Sequence, residues 1–389
     1  MTIINNAEIF TSSTRDSKPF IGYVVFDEGK ITEIGSGKYP RSAKTPDEIV
    51  DAEGAVLLPG LIDAHTHLGT IGDSLGFESD DINDINDPVA PQLSALDSVN
   101  PFDRCFRDAY DAGITTVYTG PGSASPISGN FIAIKTFGRR VDDMILKSPC
   151  AMKFALGENP KQSYHEKEQT PETRMATAAL IREALKKARR YKKDLDAAAA
   201  DNELDPPDFD AKCEALLPVL SREIPVHIHA HRADDICTGI RIAKEFGLDY
   251  SIIHCTEGHL ISEILKSEST KVMCGPLLCD RSKPELYSLT PSSAGILDKA
   301  GVNVSIITDH PVIPVQYLML CVSLAVKNGM DRFSAYKAVT INPARLCGID
   351  SRVGSIEIGK DADLVLFNGD PLDIFTKVIA VYIDGRKVK

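Results

Sequence analysis

The residues that could do chemistry here are mainly imidazoles, and the chain has nine. Two stand together in Asp63-Ala64-His65-Thr66-His67, and three alternate in Val226-His227-Ile228-His229-Ala230-His231. Side chains two apart on a strand share a face. His65 and His67 can therefore reach one ion, and so can neighbours from the second group, where His227 would lie deepest. Ile253-His254-Cys255 and Thr308-Asp309-His310-Pro311 add another imidazole and a carboxylate. Nitrogen and oxygen donors of these types suit Zn²⁺ first, with Mn²⁺ or Fe²⁺ also admissible. Any one group has a plain reading as core or surface histidine. All of them falling at strand ends points to a metal centre.

Lys153 lies in the apolar run Ala151-Met152-Lys153-Phe154-Ala155. Burying an ammonium is costly, so this lysine either snorkels or pairs, or its amine is carboxylated to an anionic carbamate. Weaker candidates surround these positions. Asn159, in Gly157-Glu158-Asn159-Pro160, should line the mouth of the site, although the same residues also read as a simple turn. Arg232 has the fork that clamps a substrate carboxylate, with a surface ion pair as the alternative. His310 faces substrate or packs under Pro311, and His231 either supports a ligand or faces substrate. Cys255 has no base beside it and reads as buried packing.

These side chains need elements to position them. Eight strand candidates alternate with helical patterns: 57–64, 115–119, 131–134, 150–154, 226–230, 251–254, 271–274 and 304–308. Such alternation implies parallel strands with crossover helices. Eight units predict a (β/α)₈ TIM-type barrel over residues 59–344, with the chemistry at the C-terminal strand ends. Short strands at 21–26 and 30–34, with others at 354–358, 362–367 and 378–383, predict a small discontinuous β-sandwich domain made from residues 1–58 and 345–389. A helical insertion spans about 160–222. Within it Leu180, Ile181, Ala184, Leu185, Ala188, Tyr191 and Leu195 form one stripe. The basic run Lys186, Lys187, Arg189, Arg190, Lys192 and Lys193 reads as a solvated face.

Composition narrows the partners. The 389 residues are 43% hydrophobic and 25% charged, ordinary for a globular chain with a sizeable core. A formal net charge of −12 argues against nucleic acid as partner. Nine cysteines without a CxxC pair predict reduced thiols. The N-terminus lacks a basic, then apolar, leader, and no run approaches the ~18 apolar residues of a membrane span. The expectation is a cytoplasmic protein with no membrane partner.

Together, Leu58-Pro59-Gly60-Leu61-Ile62-Asp63-Ala64-His65-Thr66-His67, the Lys153 strand, His229, His254, Thr308-Asp309 and Val353–Val365 resemble the amidohydrolase superfamily, nearest its imidazolonepropionase- and prolidase-like branch. The resemblance implies one ion on His65, His67 and Asp309, a second on His229 and His254, and carboxylated Lys153 bridging a binuclear centre. It implies Asp309 and His254 as catalytic groups and a homo-oligomer. The activity implied is hydrolysis of a C–N amide bond in a cyclic or dipeptide-like small molecule. A lactonase or esterase is the alternative, because the same activated water attacks esters. A deaminase is disfavoured, since that branch places a glutamate where this chain has Arg232. A scaffold without metal should have lost donors, and this chain keeps them.

Overall fold

The structure is a computed structural model and describes residues 1–13, 18–40, 46–72 and 76–389. Its centre is an eight-stranded barrel sheet of β1 (Leu61–Thr66), β2 (Ile114–Thr119), β3 (Ile127–Lys135), β4 (Ile145–Ala155), β5 (Val226–Ala230), β6 (Tyr250–His254), β7 (Lys271–Cys274) and β8 (Asn303–Ile306), neighbours in that order. β8 returns to β1 just past its end. Asp309 N donates to His65 O at 3.2 Å, and His67 N donates to His310 O at 2.9 Å. The architecture is a TIM-type barrel.

One strand departs from the expected pattern. β3 runs antiparallel to both β2 and β4, so the barrel is not eight parallel strands. The reason is chain length. Parallel neighbours need a crossover of a dozen or more residues. The 120–126 connection is short and rich in Gly, Pro and Ser, and the 136–144 connection holds only the 3₁₀ turn Val141–Asp143.

The expected first strand, 57–64, is in fact two. Val56–Pro59 pairs with Leu364–Phe367, and after Gly60 the chain enters β1. A Cβ on Gly60 would meet Thr115 Oγ1 at 2.1 Å, so only glycine allows this close passage. The two chain ends share one hydrogen-bonded eight-stranded sheet, in which Thr2–Ile9 is flanked by Phe20–Asp27 and Val56–Pro59. The sheet curls until Phe26 and Tyr382 meet edge to face at 5.2 Å. A sandwich of two separate sheets is not what this hydrogen bonding forms. Residues 354–358, expected as a strand, are turn and coil.

Helix α1 (Arg104–Asp111) crosses from β1 to β2. The insertion after β4 holds α2 (Glu158–His165), α3 (Arg174–Ala200) and α4 (Ala211–Leu220). In α3, Ile181, Leu185, Ala188 and Tyr191 are buried. Its basic residues are exposed and largely paired, with Lys187 at 2.6 Å from Asp210 and Lys192 at 2.9 Å from Asp196. The solvated-face reading therefore holds. α5 (Ala233–Phe246), α6 (Ser262–Ser267) and α7 (Ser293–Ala300) follow β5, β6 and β7. α8 (Leu318–Lys327), α9 (Arg332–Lys337) and α10 (Ile341–Leu346) follow β8. Ala344, Leu346, Cys347, Ile349 and Val353 pack with Ile62, Tyr118, Phe131 and Cys150, filling the barrel's interior. No helix among the described residues is long and apolar enough to cross a membrane.

Candidate metal centre

β1 ends in His65 and His67, which project inward because alternate residues share a face. β8 leads into Asp309, whose Oδ1 lies 3.2 Å from His65 Nε2 and 3.5 Å from His67 Nε2. Lys153, on β4, puts Nζ 3.4 Å from His65 Nε2 and is fully buried. β5 supplies His229 and His231, and β6 supplies His254. The three rings cluster at centroid separations of 4.8, 4.5 and 4.4 Å.

Two triads therefore hold donor atoms within 4.8 Å of one another: His65, His254 and Asp309, and His229, His231 and His254. His254 belongs to both. His254 and Asp309 have φ of 69° and 56°, in the left-handed region that non-glycine residues rarely adopt. Such strain persists where the surrounding fold over-determines it, as at functional sites.

The hydrogen bonds fix tautomers. His67 Nδ1 lies 2.7 Å from Gly120 O, and His254 Nδ1 lies 2.8 Å from Gly275 O. A carbonyl only accepts, so each Nδ1 carries a proton, and the lone pair of such a ring in its metal-binding form is on Nε2. For His67 that lone pair faces the Asp309 carboxylate. His229, whose Nδ1 meets Ser123 Oγ at 2.8 Å, has a buried Nε2 with no hydrogen-bond partner. Lone pairs and a carboxylate converging in a buried pocket suit a divalent cation and are poorly satisfied otherwise. The residues present fit such an ion.

Burial lowers the pKa of Lys153 to about 7, with Asp309 opposing. Burial likewise lowers His254 to about 4, and holds His65, His229 and His231 well below the usual imidazole range. Burial works to raise the pKa of Asp309, but His254, His65 and His67 outweigh it and hold the carboxyl well below its usual range. The cluster therefore favours neutral imidazoles and an ionised carboxylate, the states that bind metal.

Other expected residues fall in different places. His227 sits deeper, 3.7 Å from Cys347 Sγ, away from both triads. Arg232 does not reach the site. It is exposed at the start of α5 and pairs with Asp234 at 2.9 Å, two residues along the chain. His310 accepts from Val315 N through Nδ1 at 3.2 Å and lines a cavity of about 710 Å³ beside α1. Asn159, at the start of α2, accepts from Lys283 Nζ at 2.8 Å. Cys255 is buried, with its thiol pKa pushed up by burial.

Two residues at the centre were not anticipated. Glu285, 1% exposed, places Oε1 at 3.6 Å from His231 Nε2 and 3.8 Å from His229 Nε2. Lys283 Nζ lies 2.7 Å from the same oxygen. Both come from the loop after β7, whose sequence has no periodicity to mark them. Asp63 was quoted only as part of a motif. It is fully buried and receives Thr308 Oγ1 at 2.6 Å, joining β1 to the segment after β8.

Histidines and an aspartate converging at the strand ends of a barrel form a site that could hold a divalent ion. The chain belongs to the amidohydrolase family, which it matches over residues 56–388. A solved amidohydrolase from Thermotoga maritima superposes with a TM-score of 0.94 at 40% identity over 100% of both chains. Amidohydrolase tasK of Hapsidospora irregularis is 28% identical over 99% of this chain, which spans only 43% of that relative's length. An imidazolonepropionase of Fusobacterium nucleatum is 23% identical over 94% of this chain and 91% of its own.

Proposed function

We propose that the protein is a divalent-metal-dependent hydrolase that cleaves the C–N bond of a cyclic amide or dipeptide-like small molecule. The observation that carries this reading is the meeting of His65, His254 and Asp309, from three segments far apart in the chain, within 4.8 Å. Similarity to an imidazolonepropionase, a protein named for a cyclic substrate, supports the amide class.

His65, His67 and Asp309 would hold one ion, and His229 and His254 a second. Lys153 would serve both as a carbamate. Its amine, brought to a pKa of about 7 by burial, would form an N–C bond to CO₂ and release one proton. A divalent ion held there supplies Lewis acidity toward a carbonyl oxygen and lowers the pKa of water from about 15.7 toward about 7. Asp309 takes the proton from the attacking water and returns it to the leaving nitrogen. His231, oriented through Nδ1 by Thr256 Oγ1 at 2.7 Å, would donate from Nε2 to the developing oxyanion. The closed apolar interior below excludes bulk water.

Elemental analysis of purified protein, with chelation and reconstitution by Zn²⁺, Mn²⁺ or Fe²⁺, tests the centre. Cyclic amides, dipeptides, lactones and amino-purines test the chemistry. The proposal expects bound metal and metal-dependent amide cleavage. A chain that binds no metal, or a loaded one that cleaves only lactones or deaminates purines, overturns it.

A further inference from the structure

Lys283, Glu285 and Asn159 form a built arrangement that the amide-hydrolysis chemistry leaves unused. Lys283 Nζ donates to Asn159 Oδ1 at 2.8 Å and lies 2.7 Å from Glu285 Oε1. Glu285 is clamped from the other side, because its Oε2 accepts Glu158 N at 3.0 Å. A Cβ on Gly157 would approach that oxygen to 2.8 Å, and Gly157 has φ of 85°, so a larger residue would displace the carboxylate. One carboxylate oxygen thus separates the ammonium from His231 Nε2, at 2.7 Å on one side and 3.6 Å on the other. Asn159 accepts a hydrogen bond from this ammonium, Glu285 lies beside it as an ion pair, and the side chain remains 27% exposed.

We infer that Lys283 is a specificity-determining residue that binds a carboxylate on the substrate, and hence that the substrate is an amide bearing an anionic group a few bonds from the scissile carbonyl. A lysine held only for structure would be satisfied by Glu285 alone. Here Asn159, at the start of α2, also orients it, and the side chain stays partly open to solvent. Charge agrees. Lys283 offsets Glu285, and Asp309 with a carbamate on Lys153 offsets only part of the charge of two divalent ions, so a loaded site would attract an anion.

This inference rests on the proposed amide-hydrolysis site, and the test separates the two. Metal-loaded wild type, K283Q and K283R are titrated calorimetrically with matched probes: 5-oxoproline against its carboxamide, and glycylleucine against glycylleucinamide. Hydrolysis of all four is followed in parallel, with circular dichroism and metal content as controls for folding. The wild type should prefer the acids by about ten- to hundredfold, the worth of a charged hydrogen bond. K283Q should lose that preference through weaker acid binding, and K283R should keep part of it. Equal binding of acid and amide by wild type, no acid binding, or a preference that survives in K283Q overturns the inference. Cleavage without acid preference sinks the inference and leaves the amidase reading standing. Acid-selective binding without amide cleavage does the reverse.

Discussion

Thr308 Oγ1 donates to Asp63 Oδ2 at 2.6 Å across 245 positions of chain. This bond ties the residue before Asp309 to the residue two before His65, so it sets the spacing of the two metal-site strands where the barrel closes. Thr308→Val keeps the shape and removes the donor. It is expected to lower unfolding stability by about 1–3 kcal/mol, the cost of weakening a buried polar pairing. Urea denaturation of the two proteins measures the difference, and an unchanged midpoint would remove this bond from the account of closure.

Asp309→Asn should abolish the charge on which both His65 and His67 converge. Bound metal per chain, by elemental analysis, is expected to fall, and kcat/KM to drop by about a thousandfold or more. Full metal occupancy with near-normal turnover would place the active centre elsewhere.

Arg232→Ala should be almost silent. Its ion pair with Asp234 is exposed on both sides, and such pairs contribute little. Stability should move by less than about 0.5 kcal/mol, and kcat/KM by less than about twofold. A large rise in KM alone would show that Arg232 reaches substrate after all.

Asp210 caps α4 through Lys212 N and Cys213 N and pairs with Lys187. The Lys187 hydrogen bond, with the cap, lowers its pKa to about 2 from 3.8. The folded pKa lies below the unfolded one, so the stabilisation is present above about pH 4 and fades as pH falls toward 2. Asp210→Ala should cost about 1 kcal/mol at pH 7, a typical cap value reduced by solvent screening of the ion pair. The gap between the two proteins should close near pH 2. Guanidinium denaturation at pH 7, 4 and 2.5 follows it, and a gap that widens on acidification contradicts the assignment.

The meeting of the side chains at 65, 67, 229, 254 and 309 was legible because a strand's period of two makes HxH a statement about one face. Strand ends are also marked by the turn residues after them. The helical stripe of α3 was legible for the same reason at its own period. The direction of β3 was overlooked although the chain carries the signal: its flanking connections are too short for crossovers. Arg232 likewise had its answer two residues away, at Asp234.

Sequence by itself determined which side chains could bind a cation and which elements would carry them, because periodicity and donor chemistry are local properties. Tertiary structure alone decided that His229 and His231 meet His254, that Cys347 lies against His227, and that Glu285 is buried over Gly157 with Lys283 at its edge. Those relations depend on barrel curvature and on loops packing against one another, and distances between remote segments are set by the closed sheet and not by any spacing along the chain.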